Sequence, residues 1–125
     1  MVHVPRIAPG DYVAWHCDTI HAVDSIHAGK SDSSVMYIPA CPTTKLNVDC
    51  ARQQREHFLQ GIPPSDFPGG VGESQHIGRG DAATVMAIAG PEALRSFGFA
   101  PFDLAAAKMK GEADVLKYGN EVMGF

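Results

Sequence analysis

Near residue 47 the spacing of apolar side chains changes from every second position to about every 3.6, so the two parts of the chain must bury their apolar residues in different ways. Before that point three short runs are rich in β-branched and aromatic residues. They are Tyr12-Val13-Ala14-Trp15, Ile20-His21-Ala22-Val23 and Ser33-Ser34-Val35-Met36-Tyr37-Ile38, the last stopped by Pro39. Pro9-Gly10-Asp11 reads as the turn that leads into the first run, and 24–32 as a polar connection containing Gly29. Beyond the change, Asn47 is placed to cap a helix, with Asp49 in its first turn. Gly61 and Pro63-Pro64 stop that helix, which predicts a span of 47–60. Residues 61–80 read as a Gly/Pro-rich loop. Asp81 then caps a short helix over 82–89, and Pro91 opens another that runs to Phe97. From Asp103 to Phe125 the composition is helical, with breaks predicted at Gly111 and Gly119.

The expected fold class is therefore α+β, with a strand part over 1–42 and a mostly helical part over 43–125. Three short strands cannot close a sheet by themselves, because the unpaired edges would be left in solvent. An incomplete domain is expected, its sheet completed by self-association or by an N-terminal portion not contained in these residues. A net charge of −4 and the lack of a basic stripe argue against nucleic acid as partner. No apolar run is long enough to span a membrane, and residues 1–6 do not resemble a signal peptide. Cys17, Cys41 and Cys50 are odd in number and form no C-x-x-C pair, which predicts reduced thiols and a cytoplasmic location.

The residues with the most chemistry to offer are His16, Asp18 and His21, directly after the first apolar run. Oxygen-activating iron sites use two histidines and one carboxylate on one face of the ion, leaving positions open for other ligands. His16 and Asp18 have the i, i+2 spacing that puts two side chains on one face of a strand, whereas His21 is at an odd offset from His16 and would point to the other face. Three arrangements stay open at this level. The triad could be His16, Asp18 and His21 together. It could be His16 and Asp18 joined by His57 or His76. Or His21 could be a ligand whose partners lie elsewhere. Asp18 also has the alternative of capping the turn that follows, and Trp15 that of core packing.

The run from Pro9-Gly10-Asp11 through Trp15-His16 to His21 resembles the C-terminal strands of phytanoyl-CoA-dioxygenase-type and taurine-dioxygenase-type enzymes. Trp15-His16-Cys17-Asp18, the block Asp32 to Pro39 and Pro64-Ser65-Asp66-Phe67-Pro68 resemble the DUF1479 family, over nearly the whole chain. That resemblance implies the C-terminal part of a double-stranded β-helix (a jelly-roll, cupin-like fold) and an Fe(II)/2-oxoglutarate-dependent oxygenase acting on an unidentified small molecule. It implies His21 as the distal iron ligand. The departures are two: the proximal H-x-D/E pair that such enzymes carry well upstream of the distal histidine has no counterpart before His16, His3 being followed by Val4 and Pro5, and no arginine occurs between Arg6 and Arg52 to grip 2-oxoglutarate. Lys30, Ser33 and Arg79 are the candidates left for that anion. The rival expectations are a non-catalytic truncated remnant and a cupin-like metal-binding module.

Overall fold

The computed structural model describes residues 3–64 and 69–125. It divides into two compact units, Met1–Tyr37 and Ile38–Phe125.

The N-terminal unit is built from extended chain and turns. Ala8 to Asp11 is a tight turn with Pro9 and Gly10 at its corners. The Asp11 N–H donates to the Ala8 carbonyl at 3.1 Å, and Gly10 takes φ 93°, which a side chain would strain. The Asp11 carboxylate accepts the Ala8 N–H in return, at 2.8 Å. The three predicted strands do not form: among the described residues there is no strand, no bridge and no sheet. The α+β expectation, and the double-stranded β-helix with it, is corrected to an all-helical architecture. The physical reason is that β-propensity measures fit to a pleated, half-buried surface, and it is realised only when a ladder partner is present. Nothing in the described residues supplies one, so Tyr12, Ile20, Val23 and Met36 are each about nine-tenths exposed, at 90%, 95%, 90% and 89%.

The second unit holds four α-helices among the described residues: α1 (Lys45–Gln60), α2 (Ala82–Ile88), α3 (Pro91–Ser96) and α4 (Glu112–Met123), with one 3-10 turn at Leu104–Ala106. Local signals place them. Thr44, not Asn47, caps α1: its side chain accepts the Asn47 N–H, while the Asn47 side chain donates to the Pro42 carbonyl at 2.7 Å. Gly61 ends α1 in the left-handed conformation, φ 69° and ψ 29°, and the carbonyls of His57 and Phe58 receive N–H groups just beyond the helix. Asp81 caps α2 by accepting the Thr84 N–H, and Pro91 sits in the first turn of α3. The carboxyl of Asp81 lies below its ordinary range because these Thr84 hydrogen bonds favour its charged form.

One predicted break and one predicted helical stretch need correction, whereas the break at Gly111 is present, that residue standing in the left-handed conformation just before α4. α4 runs unbroken through Gly119, and of the stretch predicted helical between Asp103 and Gly111 only Leu104–Ala106 takes a helical turn. Gly119 is inside the helix because of packing. A Cβ there would lie 2.6 Å from the Phe102 ring and 3.6 Å from Val48 on α1, so the glycine permits the close approach of these groups. Val48, Leu116 and Met123 form the buried apolar core of this unit, where α1 packs against α4. The Asn120 side chain brackets Phe102, accepting its N–H at 2.6 Å and donating to its carbonyl at 3.1 Å. Asp49, predicted to favour the α1 dipole, instead accepts the Tyr118 hydroxyl at 2.7 Å, linking α1 to α4. The predicted loop over 61–80 contains residues 65–68, which lie outside the described residues.

Candidate metal centre

A second tight turn spans His16 to Thr19, in which the Thr19 N–H donates to the His16 carbonyl at 2.9 Å. Cys17 and Asp18 occupy its corners. This turn, and not strand alternation, brings the three consecutive side chains together: one donor atom from each of His16, Cys17 and Asp18 lies within 4.8 Å of the others. The Asp18 N–H donates to His16 Nδ1 at 3.3 Å, so that nitrogen carries its lone pair toward the turn. The Asp18 carboxylate stands 3.6 Å from the same nitrogen. Cys17 Sγ is 3.9 Å from His16 Nδ1 and 3.8 Å from Asp18 Oδ1. All three residues are exposed, so an ion could reach them from solvent.

His21 is not part of this group. Its Nδ1 lies 2.8 Å from the Thr19 carbonyl oxygen, an acceptor, so Nδ1 carries the proton and Nε2 keeps its lone pair. A carbonyl holding the far nitrogen is the usual outer partner of a metal-ligating histidine. Trp15 sits with its ring centroid 5.6 Å from His21 and 6.4 Å from Tyr37, meeting the latter edge-on. Trp15 is 48% exposed, so these rings meet at the surface and not in a core.

The remaining candidates are placed elsewhere. Lys30 and Ser33 are exposed in the N-terminal unit. Arg79 belongs to the second unit, where its guanidinium donates to the Phe58 carbonyl near the end of α1 and lies over the Phe58 ring, 5.2 Å from its centroid. His57 is near the end of α1 with Nδ1 2.8 Å from the Pro63 carbonyl oxygen, and His76 is exposed in the loop; neither joins the turn cluster. Cys17 is the residue that sequence reasoning passed over. The signal available for it was three consecutive donor types, His-Cys-Asp, at a polar break between two apolar runs.

The described residues define an all-helical second unit preceded by turns and extended chain, with donor side chains gathered at one turn. A family model for Gig2-like proteins matches residues 1–98, and the chain belongs to that family. It is also 37% identical over 68 residues to "Uncharacterized protein YbiU" of Escherichia coli (strain K12), a match covering 54% of this chain and 16% of that protein's length. No solved structure matches. The family is thus the Gig2-like one and not DUF1479. The Fe(II)/2-oxoglutarate oxygenase assignment is corrected with it, as is the cupin-like alternative, since the described residues hold no sheet on which such a site is built.

Proposed function

We propose that the N-terminal unit binds a divalent transition-metal ion at the His16–Thr19 turn. His16 Nδ1, the Cys17 thiolate and an Asp18 oxygen are the three ligands, and water completes the shell. The observation that carries this reading is the mutual approach of the three donor atoms within 4.8 Å on one exposed turn. Bonds of about 2.0–2.3 Å from nitrogen, oxygen and sulfur to a central ion suit donors already so near, with His16 Nδ1 exchanging the Asp18 N–H for the ion. A mixed nitrogen, sulfur and oxygen set suits Zn²⁺, Co²⁺ and Fe²⁺ better than Mg²⁺ or Ca²⁺, which prefer oxygen alone. The thiol has to be reduced to serve as ligand, which fits a cytoplasmic location, and all three cysteines are free.

Calorimetric titration of the chain with Zn²⁺ tests this, in the presence of excess Mg²⁺. One ion per chain is expected, with protons released as the thiol ionises. Cys17→Ser is expected to weaken binding most and His16→Ala next, and His21→Ala is expected to leave it unchanged. Unchanged affinity in both Cys17→Ser and His16→Ala sinks the proposal.

A second reading concerns partners. The exposure of Tyr12, Ile20, Val23 and Met36 favours self-association of the N-terminal unit through these apolar residues. Light scattering across a concentration series checks it. A particle mass that stays at the monomer value throughout counts against it.

A further inference from the structure

In the second unit the end of α1, residues 61–64, 72, 73 and 79, and the end of α3 line a half-open cavity of about 650 Å³. That size is in the range of small-molecule sites, roughly 300–1,000 Å³. Its apolar lining includes Phe58, Phe97, Ile62 and Pro64, and its polar lining includes two arginines, Arg55 and Arg79. Phe58 and Phe97 meet edge-on with centroids 5.6 Å apart, and Phe99 stacks on Phe97 at 5.7 Å, so this wall is backed by a third ring.

The wall opposite is set by a close backbone contact. The Glu73 N–H donates to the Gly61 carbonyl at 2.7 Å, and a Cβ on Gly72 would collide with that same carbonyl oxygen and lie 2.8 Å from Ile62 Cα. This contact holds the Gly61–Ile62 and Gly72–Glu73 backbones together along the cavity.

Both guanidiniums are held by backbone carbonyls. One nitrogen of Arg55 donates to Gly98 at 2.7 Å and to Met123 at 3.1 Å, and one nitrogen of Arg79 donates to Phe58. Each arginine has five N–H groups in a planar fork, so each keeps donors to spare once it is fixed in place. Among the described residues the arginine–carboxylate ion pair is Arg52–Glu56, and neither Arg55 nor Arg79 is paired with a carboxylate there. Glu73 also lines the cavity but is exposed, where solvent screens its charge. Two part-buried cations beside aromatic rings, unpaired with carboxylates among the described residues, make a site suited to an anion.

We propose that this cavity binds a small carboxylate with an apolar or aromatic body, the carboxylate on the free donors of Arg79 and Arg55 and the body against Phe58 and Phe97. Arg79 is pre-organised by its bond to the end of α1 and by the Phe58 ring beneath it, which lowers the ordering cost of binding. The site lies within the second unit and is independent of the metal turn.

The test uses the full chain and 3-phenylpropionate, followed by chemical-shift changes in ¹H–¹⁵N spectra. Its neutral amide and inorganic phosphate serve as comparison ligands. The expected result is saturable binding at one site, with shifts at α1, α3 and the Gly72–Arg79 segment. The amide is expected to bind about tenfold more weakly, the loss typical of a charge-assisted hydrogen bond. Arg79→Lys keeps the charge but lacks the fork, and is expected to weaken the carboxylate while leaving the amide unchanged. Phe97→Ala is expected to weaken both. Equal affinity for acid and amide overturns the proposal, as does the absence of saturation with 3-phenylpropionate. Phosphate binding as tightly as 3-phenylpropionate overturns the apolar half of it. The acid–amide comparison is made on the unaltered protein, so it stands even where a variant fails to fold.

Discussion

At the scale of single residues, Gly119 shows how packing can override a local preference. A glycine inside a helix costs about 1 kcal/mol relative to alanine, yet here an added methyl would press on the Phe102 ring at 2.6 Å. Gly119→Ala is expected to destabilise the second unit by about 1–3 kcal/mol, the usual cost of overpacking, partly offset by the helix-propensity gain. Val48→Ala empties the same contact from the other side and is expected to cost about 1–3 kcal/mol, because Val48 is only 3% exposed. Urea unfolding followed by helical circular dichroism measures both, and a gain in stability for Gly119→Ala contradicts the packing assigned to α1 and α4.

Tyr118 offers a pH test at the same scale. Its hydroxyl sits above the ordinary range, first because it donates to Asp49, then through partial burial and the Asp49 charge. A raised value in the folded state means the protonated phenol is the stabilised form. That stabilisation is complete below the unfolded phenol value and is lost as pH rises through the folded one. With Tyr12 and Tyr37 replaced by Phe, ultraviolet titration of Tyr118 is expected to show a midpoint above that of free tyrosine. Asp49→Asn is expected to bring it down, and an unchanged midpoint counts against the link.

At the scale of elements, helix ends were legible in the sequence because their causes are local. Gly61, Asp81 and Pro91 each act through their own backbone or through a side-chain bond to the next turn. Even the misplaced cap at Asn47 fell within the same turn as the true one at Thr44. Thr44→Ala is expected to cost about 1 kcal/mol of helix stability, while Asn47→Ala loses only its bond to Pro42 and costs less. Strands were a different matter. The runs at 12–15, 20–23 and 33–38 have the composition of strands, but pairing depends on residues distant in sequence or outside the chain, and composition cannot supply them. The site shares this lesson. The grouping of His16 with Asp18 was visible as a spacing, but the spacing was attributed to strand alternation, and a turn is what gathers the side chains. Once the turn is known, Cys17 at its corner enters the donor set with the other two.

At the scale of the whole molecule, apolar burial is uneven. The second unit has its core at Val48, Leu116 and Met123, while the N-terminal unit leaves its large apolar residues in solvent. Among the described residues of the N-terminal unit, the backbone–backbone bonds are those of its two turns, at Asp11 and Thr19. Hydrogen exchange is therefore expected to be fast along 12–37, apart from Thr19, and slowest in α1 and α4. No helix among the described residues is long and apolar enough to cross a membrane. The match to YbiU spans 16% of that protein, so what the complete relative does is a separate question from what this segment binds.

The central claim, a metal ion at the His16–Thr19 turn with Cys17 as ligand, is tested most directly by an optical titration with Co²⁺. Cobalt takes the same ligands as zinc and is coloured, so a bound thiolate adds a sulfur-to-metal charge-transfer band in the near ultraviolet. The account predicts that this band grows to saturation at one Co²⁺ per chain, is lost in Cys17→Ser, persists in Cys41→Ser and Cys50→Ser, and is displaced by Zn²⁺. A titration without the band, or one that keeps it in Cys17→Ser, contradicts the account.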